Sequence, residues 1–409
     1  MAASRGKSGK TTARKAAKPR RSADPATPEV AAADTPAEKM ITGKGRVRTG
    51  PGEEAPVYID DSGRDKAGSA GSNASRRVNF ALQGGGAHGA FTWGVLDWVL
   101  ENAPVEIDAI SGTSAGAMNA VALVSGYEMG GPDGAREVLA QYWKAVSRAA
   151  RTSPVQRTLI DRMWGNWSLD WSPGFVMVDV ISRFVSPYEF NPLNLNPLKE
   201  LIEGIIDFDA VRRCDTIRLF LSATNVRTGK VKVFRNRDIT ADHVMASACL
   251  PLMFQAVEID GVPYWDGGYS GNPALWPFFY ETGTQDLVLI QINPIERFET
   301  PKTARDILNR MNEITFNSSL LKELRAIAFV DRLVEDGVLP PEKYRSVRVH
   351  VVDGGEFLND LTASSKFNAE WEFLTYLRDA GRDAAARFHE LHHEKIGARA
   401  TADVRRMID

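Results

Sequence analysis

Residues 105–126 read VEIDAISGTSAGAMNAVALVSG, an apolar run that climbs to a Gly-Thr-Ser-Ala-Gly turn and leaves it through small residues. Ile107–Ile110 predict a short buried strand, and a helix is expected from about Ala115. A sharp strand-to-helix turn lifts the hydroxyl of its middle residue, Ser114, clear of the backbone. Gly112 and Gly116 remove side chains where such a turn crowds its neighbours. Ser114 then stands at a helix N-terminus, whose free N–H groups and dipole favour a developing negative charge. The pattern points to acyl transfer by an activated serine. A GxSxG string also arises by chance in Gly- and Ser-rich loops, so its weight comes from the strand before it and the helix after it.

Upstream, Arg77–Leu82 (RVNFAL) predicts a strand, Gln83–Gly89 (QGGGAHG) a loop, and Ala90–Asn102 a helix with Phe91, Val95, Trp98 and Val99 at helical spacing. Strand, loop, helix and elbow strand in succession predict two parallel strands joined by a crossover. Gly84, Gly86 and Gly89 satisfy GxGxxG, and Asp108 lies about twenty residues on, as a dinucleotide-binding fingerprint requires. The same ring of backbone N–H groups at a helix start also binds other anions, including the oxyanion of a tetrahedral intermediate. A tight turn without a ligand is the third reading. The elbow at Ser114 favours the oxyanion.

Downstream lies a Trp-rich insertion at 151–195, of which residues 160–190, with Trp164, Trp167 and Trp171, are expected to cover or border the site mouth and meet a lipid surface, a satellite core beneath the insertion being the alternative. A helix is expected over Asn196–Ile206, strands over Thr216–Thr224 and Val231–Phe234, and a short helix over Ala241–Cys249. Val257–Ile259 and Val262–Trp265 flank an Asp-Gly turn and read as a hairpin. Asp266-Gly267-Gly268 follows it, and its carboxylate is either a general base or an ordinary turn residue. Asp286–Ile292 is a further buried strand. The remainder is mostly helical, with a late strand at Ser346–Val352 and a long amphipathic helix near Phe367–Lys395.

The Gly loop, the Ser114 elbow and the Asp266 motif, in this order, resemble the patatin-like phospholipase family. ATNVRTG at 223–229 and ASACLPLMFQAVEIDGVPYWDGGYSGNP at 246–273 add to the match, which covers about residues 78–295. The resemblance implies a three-layer α/β/α fold with a mainly parallel central sheet. It also implies a serine lipid acyl hydrolase of the phospholipase A or lysophospholipase type, working through an acyl-enzyme. In that family Ser114 is the nucleophile and Asp266 takes its proton without a histidine. Backbone N–H groups around Gly84, Gly85 and Gly86 form the oxyanion hole, supported by His88, Gly89, Gly112, Gly116, Gly267 and Gly268. No cofactor or metal is implied. Two residues depart from the family pattern: Gln83 stands where Asp is usual, and His88 where Arg or Lys is usual. A hydrolase of another acyl ester, such as a storage polyester or a thioester, is one alternative. A lipid-surface scaffold with weakened catalysis is another.

The 409 residues suffice for one large α/β core with appendages, and 43% apolar and 25% charged residues are ordinary for a soluble chain. The expected division is a disordered tail at 1–75, a catalytic domain at 76–295, and a mostly helical extension at 296–409 packed on it. The net charge of −2 hides a basic start: Arg5, Lys7, Lys10, Arg14, Lys15, Lys18, Arg20 and Arg21 have no acid among them. This segment is expected to contact anionic membrane surfaces, with a solubility tail and an organellar transit peptide as alternatives. A nucleic-acid partner is not expected. Two cysteines, Cys214 and Cys249, fit a reducing cytosol, and the absence of a hydrophobic leader fits a cytoplasmic or membrane-peripheral protein. Of the remaining histidines, His243 and His350 are candidates for a Ser-His-Asp triad, whereas His389, His392 and His393 read as a solvated helix face.

Overall fold

A computed structural model describes residues 76–297 and 299–408. The expectations for the tail at 1–75 lie outside these residues. Strand β1 (Arg76–Leu82) leads through the Gly loop into helix α1 (Gly89–Asn102), strand β2 (Val105–Gly112) and helix α2 (Ala115–Ala150). β1 and β2 pair in parallel, as the strand–helix–strand pattern predicts. α2 is kinked where Gly130 and Gly131 leave helical geometry.

The insertion folds as three short helices, α3 (Leu159–Met163), α4 (Pro173–Phe184) and α5 (Pro187–Phe190), followed by α6 (Pro197–Glu203) and α7 (Phe208–Arg213). Strands β3 (Arg218–Asn225) and β4 (Val231–Arg235), helix α8 (Ala241–Ser247) and the hairpin β5 (Val257–Ile259) and β6 (Val262–Asp266) come next. At the hairpin turn Asp260 and Gly261 both have positive φ, which explains the choice of Asp-Gly. Helix α9 (Trp276–Glu281), strand β7 (Asp286–Gln291), helix α10 (Ala304–Glu335) and strand β8 (Arg348–Asp353) follow. α11 (Glu356–Asn359), α12 (Trp371–His392) and α13 (Val404–Ile408) close the described chain.

The eight strands form one sheet ordered β5-β6-β3-β2-β1-β7-β8, with β4 also pairing with β3. The run from β3 to β8 is parallel, and β4, β5 and β6 pair antiparallel. Alternation along the strands divides the core. Val78, Phe80, Leu82, Val288 and Ile290 join α1, α2 and α12 on one face. Ala81, Leu287 and Leu289 join α9 and α10 on the other, so the sheet lies between two helical layers. α12 crosses α1 at glycines: a Cβ on Gly94 would lie 1.9 Å from Arg378 O, and one on Gly381 would lie 2.1 Å from Phe91 O. Among the described residues no helix is long and apolar enough to cross a membrane.

One pairing detail positions the site. β3 gives one edge to β4, because Leu221 pairs with Phe234 and Ala223 with Lys232. The other edge is shared end to end, with Leu221 paired to Gly112 of β2 and Ala223 to Asp266 of β6. The end of the elbow strand and the Asp266 motif are therefore two residues apart along β3, or about 7 Å at the rise of a strand.

Candidate active site

Ser114 is half-buried and has φ 54° and ψ −120°, the only positive φ of a non-glycine residue on the described sheet-to-helix turns. Such backbone costs on the order of 1–3 kcal/mol and persists only where its surroundings enforce it. Here they do. Ser111 Oγ donates to Ala274 O at 2.6 Å, Thr113 Oγ1 donates to Gly271 O at 2.7 Å, and Ser114 N donates to Ser247 Oγ at 3.0 Å. Gly116 lies against β1 so closely that a Cβ would be 2.2 Å from Leu82 O. The turn is thus the strained elbow expected from the sequence, with α2 beginning directly after Ser114.

Asp266 ends β6 with no exposed surface. Its N–H donates to Cys249 O at 2.8 Å, and its carbonyl accepts from Thr224 Oγ1 at 2.8 Å. Carboxyl oxygen Oδ1 accepts from Gly268 N at 2.7 Å, whereas Oδ2 is buried with no partner among the described residues. Burial pushes this carboxyl up to about 7. The Gly268 amide and the nearby Ser114 hydroxyl counter part of that rise. The hydroxyl is close enough to act on the carboxyl without completing an aligned hydrogen bond. Gly267 has no room for a side chain, since a Cβ would lie 2.2 Å from Ser222 O.

The Gly loop packs directly on the elbow: a Cβ on Gly84 would be 2.7 Å from Ser114 Cβ. Its three glycines are not equivalent donors. Gly84 N–H is taken by Asn272 Oδ1 at 2.7 Å. The N–H groups of Gly85 and Gly86 have no acceptor among the described residues. Gly84, expected as a third donor, is instead held in place by its own N–H. Gln83 is fully buried, accepts from Ile292 N and Asn293 N at 2.9 Å each, and donates to Asn317 Oδ1 at 3.3 Å. It ties the end of β1 to the end of β7 and to α10.

His88 is buried, and burial with Lys366 and Arg297 nearby holds it well below its ordinary pKa, hence neutral. Ser365 Oγ sends its proton to Thr362 O at 2.7 Å, so at 2.8 Å it accepts from His88 Nε2–H. A neutral His88 held by Ser365 orients the loop rather than placing a charge beside it. Gly89 abuts the elbow helix, where a Cβ would be 2.8 Å from Ala115 Cβ.

The rival constellations lie elsewhere. Asp108 is the extra residue of a bulge in β2, opposite the Val78–Asn79 step, and binds Arg218 Nη1 and Gly283 N at 2.8 Å each. It faces the far end of the sheet from the Gly loop, which removes the dinucleotide reading. His350 is at the far end too: β7 begins at Asp286, whose Oδ1 is 3.0 Å from His350 Nε2. His243 belongs to the capping box of α8, with Nδ1 2.9 Å from Thr240 Oγ1. Cys249 is buried, and burial pushes its thiol up to about 12, which fits a core residue rather than a nucleophile. No group of three or more metal-ligating side chains occurs among the described residues.

Sequence reasoning missed Ser247, Asn272, Asn293, Asn317, Ser365 and Lys366. Asn272 and Asn293 both precede proline beside a motif or a strand end, and that placement was their only signal.

Residues 80–279 match the model of the family described as patatin-like phospholipase. Among solved structures, VipD from Legionella pneumophila aligns with 82% of this chain and 73% of its own, at 14% identity and a TM-score of 0.38. A structure of full-length SpcU in complex with full-length ExoU, from the type III secretion system of Pseudomonas aeruginosa, aligns with 74% of this chain at 15% identity and a TM-score of 0.27. The chain spans about half of that second match, 53% of its length. No curated protein is significantly similar in sequence. Over residues 80–279 the chain therefore carries a patatin-like phospholipase domain in a patatin-like fold, and this membership supports a lipid acyl hydrolase activity.

Proposed function

We propose that the protein hydrolyses carboxylic esters of phospholipids or related acyl lipids through a Ser114–Asp266 dyad and a covalent acyl-enzyme. The observation that carries this reading is the unpartnered Asp266 Oδ2, buried beside the hydroxyl of a strained elbow serine. Asp266 takes the Ser114 proton as Oγ bonds to the acyl carbon. The carbonyl π-electrons move to oxygen, and the N–H groups of Gly85 and Gly86 receive the resulting oxyanion. When the tetrahedral adduct collapses, the ester C–O bond breaks and the leaving alkoxide takes the proton from Asp266. Water then adds to the acyl-enzyme with Asp266 again as base, and the fatty acid leaves as Ser114 recovers its proton. A carboxyl raised to about 7 is better matched to proton transfer from a hydroxyl than an ordinary aspartate.

The insertion supplies the lipid-facing surface in this reading. α4 reads PGFVMVDVISRF, yet none of its residues is buried. Met163, Trp164 and Phe184 are each more than 80% exposed. The segment flanks the site: Gln255 Nε2 donates to Asn191 O at 2.7 Å, Ala256 N donates to Tyr188 Oη at 3.2 Å, and the Phe175 ring lies 5.7 Å from that of Phe367. α10 adds exposed Ile307, Met311 and Ile314 at helical spacing, two residues before Phe316, the ring that covers Gly268. The basic N-terminal segment adds electrostatic attraction to anionic lipid.

The test is fluorophosphonate labelling and lipid profiling of the wild type against Ser114→Ala. Labelling at Ser114 with release of fatty acid from phospholipid vesicles is expected. Labelling elsewhere, or equal hydrolysis by the variant, overturns the dyad. A labelled serine without lipid turnover favours another acyl ester, and no labelling at all favours the scaffold reading.

A further inference from the structure

We infer that Asn293 and Lys366 are positioning residues that orient and polarise the Gly84–Gly85 peptide for its role as an oxyanion donor. This rests on the acyl-transfer reading of Ser114. Asn293 Nδ2 donates to Gly84 O at 2.7 Å, and Lys366 Nζ donates to Asn293 Oδ1 at 2.8 Å. Asn293 Nδ2 also approaches Gln83 Oε1 at 3.3 Å. Its two neighbours on that side are acceptors and its neighbour on the other is a cation, so the network assigns the amide orientation without ambiguity.

The carbonyl of Gly84 and the N–H of Gly85 belong to one planar trans unit and point in opposite directions. Holding the carbonyl therefore aims the N–H. Drawing electron density toward the carbonyl oxygen makes the same N–H a stronger donor, and hydrogen bonds in series reinforce one another at low dielectric. Gly84 N–H cannot substitute, because Asn272 already occupies it. The donor next along the loop is thus governed by a side chain 209 residues from Gly84.

Lys366 is also a physical part of the loop's enclosure: a Cβ on Gly86 would lie 2.4 Å from Lys366 O. Burial lowers the pKa of the Lys366 ammonium and the nearby Glu313 carboxylate opposes that fall, while Arg297 and Arg310 pair with Glu313 at 2.7 and 3.1 Å. Asn293 Oδ1 faces the cation without a competing anion on the amide. A positive group bound to the amide oxygen polarises the whole amide toward better donation at Nδ2, and the effect passes to Gly85 N–H. Both residues lie beyond the 80–279 match, so the reading concerns this chain's own supports.

The test uses the full-length protein and a soluble acyl ester. Asn293→Ala and Lys366→Met should each lower kcat about ten- to a hundredfold with KM changed less than threefold. The double variant should lose little more than the worse single, because the two act in series. Lys366→Arg should recover most of the rate. Asn293→Asp keeps an acceptor for Lys366 and removes the donor to Gly84 O; it should retain the wild-type Tm within a few degrees and still lose kcat. A loss below threefold in the Asn293→Asp protein, additive losses, or a folded Lys366→Arg no better than Lys366→Met overturns the inference. If Ser114→Ala is inactive while Asn293→Asp is fully active, only the positioning role fails. If Ser114→Ala is active, the reading beneath it fails as well.

Discussion

Asp266 reaches Ser114 because β6 meets β3 on the edge that β2 has just left, two residues beyond Gly112. The motifs are about 150 residues apart in sequence and adjacent along one strand. The proposed dyad, assembled this way, is expected to behave as a unit. Ser114→Ala and Asp266→Asn should each lower turnover of a soluble ester at least about a thousandfold. His243→Ala and His350→Gln should stay within about fivefold in the folded protein, since one caps α8 and the other binds Asp286. Near-normal turnover by Asp266→Asn, or collapse in a folded histidine variant, counts against the dyad.

The rate should depend on the ionisation of one buried carboxyl. As the proposed base, Asp266 acts only when deprotonated, and burial raises it to about 7. The profile of kcat/KM for a soluble ester is expected to rise with pH through a single step near 7. A step in the ordinary range of aspartate would show that the group in control is solvated and is not Asp266.

The same shift has a thermodynamic face. With a folded-state pKa above the unfolded value, the contribution of Asp266 to stability is fully present below the unfolded pKa and is lost as pH rises through about 7. Asp266→Asn keeps an acceptor for Gly268 N and removes the charge. It should match the wild type near pH 4 and exceed it by roughly 4 kcal/mol at pH 8. Denaturant unfolding at both pH values checks this, and a variant less stable at pH 8 contradicts the buried-charge account.

Interfacial catalysis separates from chemistry at the insertion. Trp164→Ala, Trp171→Ala and Phe184→Ser combined should leave soluble-ester hydrolysis within about threefold and lower activity on phospholipid vesicles at least tenfold. Trp167 is excluded because it is half-buried, stacked near Phe373 and Tyr376, with Arg157 over its ring at 4.2 Å. Equal losses on both substrates would make the segment structural.

The elbow and the hairpin were legible because the residues that need unusual backbone sit within the motif itself. Ser114 between small residues and Asp260-Gly261 with paired positive φ are local signals. Strand positions followed from apolar runs, with ends within about two residues. What stayed hidden depends on distant partners. Nothing near Gly84 announces that Asn272 takes its N–H, and nothing near His88 announces that Ser365 receives its proton. Trp167 looked like its two neighbours, because composition cannot say which of three rings faces α12. Asp108 matched a spacing rule, and the bulge that turns it away from the loop is set by pairing with β1.

The Gly-rich loop is gripped by residues 272, 293, 365 and 366, and through Gln83 by Asn317. A chimaera that grafts residues 80–279 onto another protein's C-terminal half would import both side chains of the proposed dyad and leave four of these five grips behind. The interchangeable cassette in this architecture is consequently larger than its recognisable motifs. A swap that respects it has to carry α10 and the turn before α12 along with the elbow.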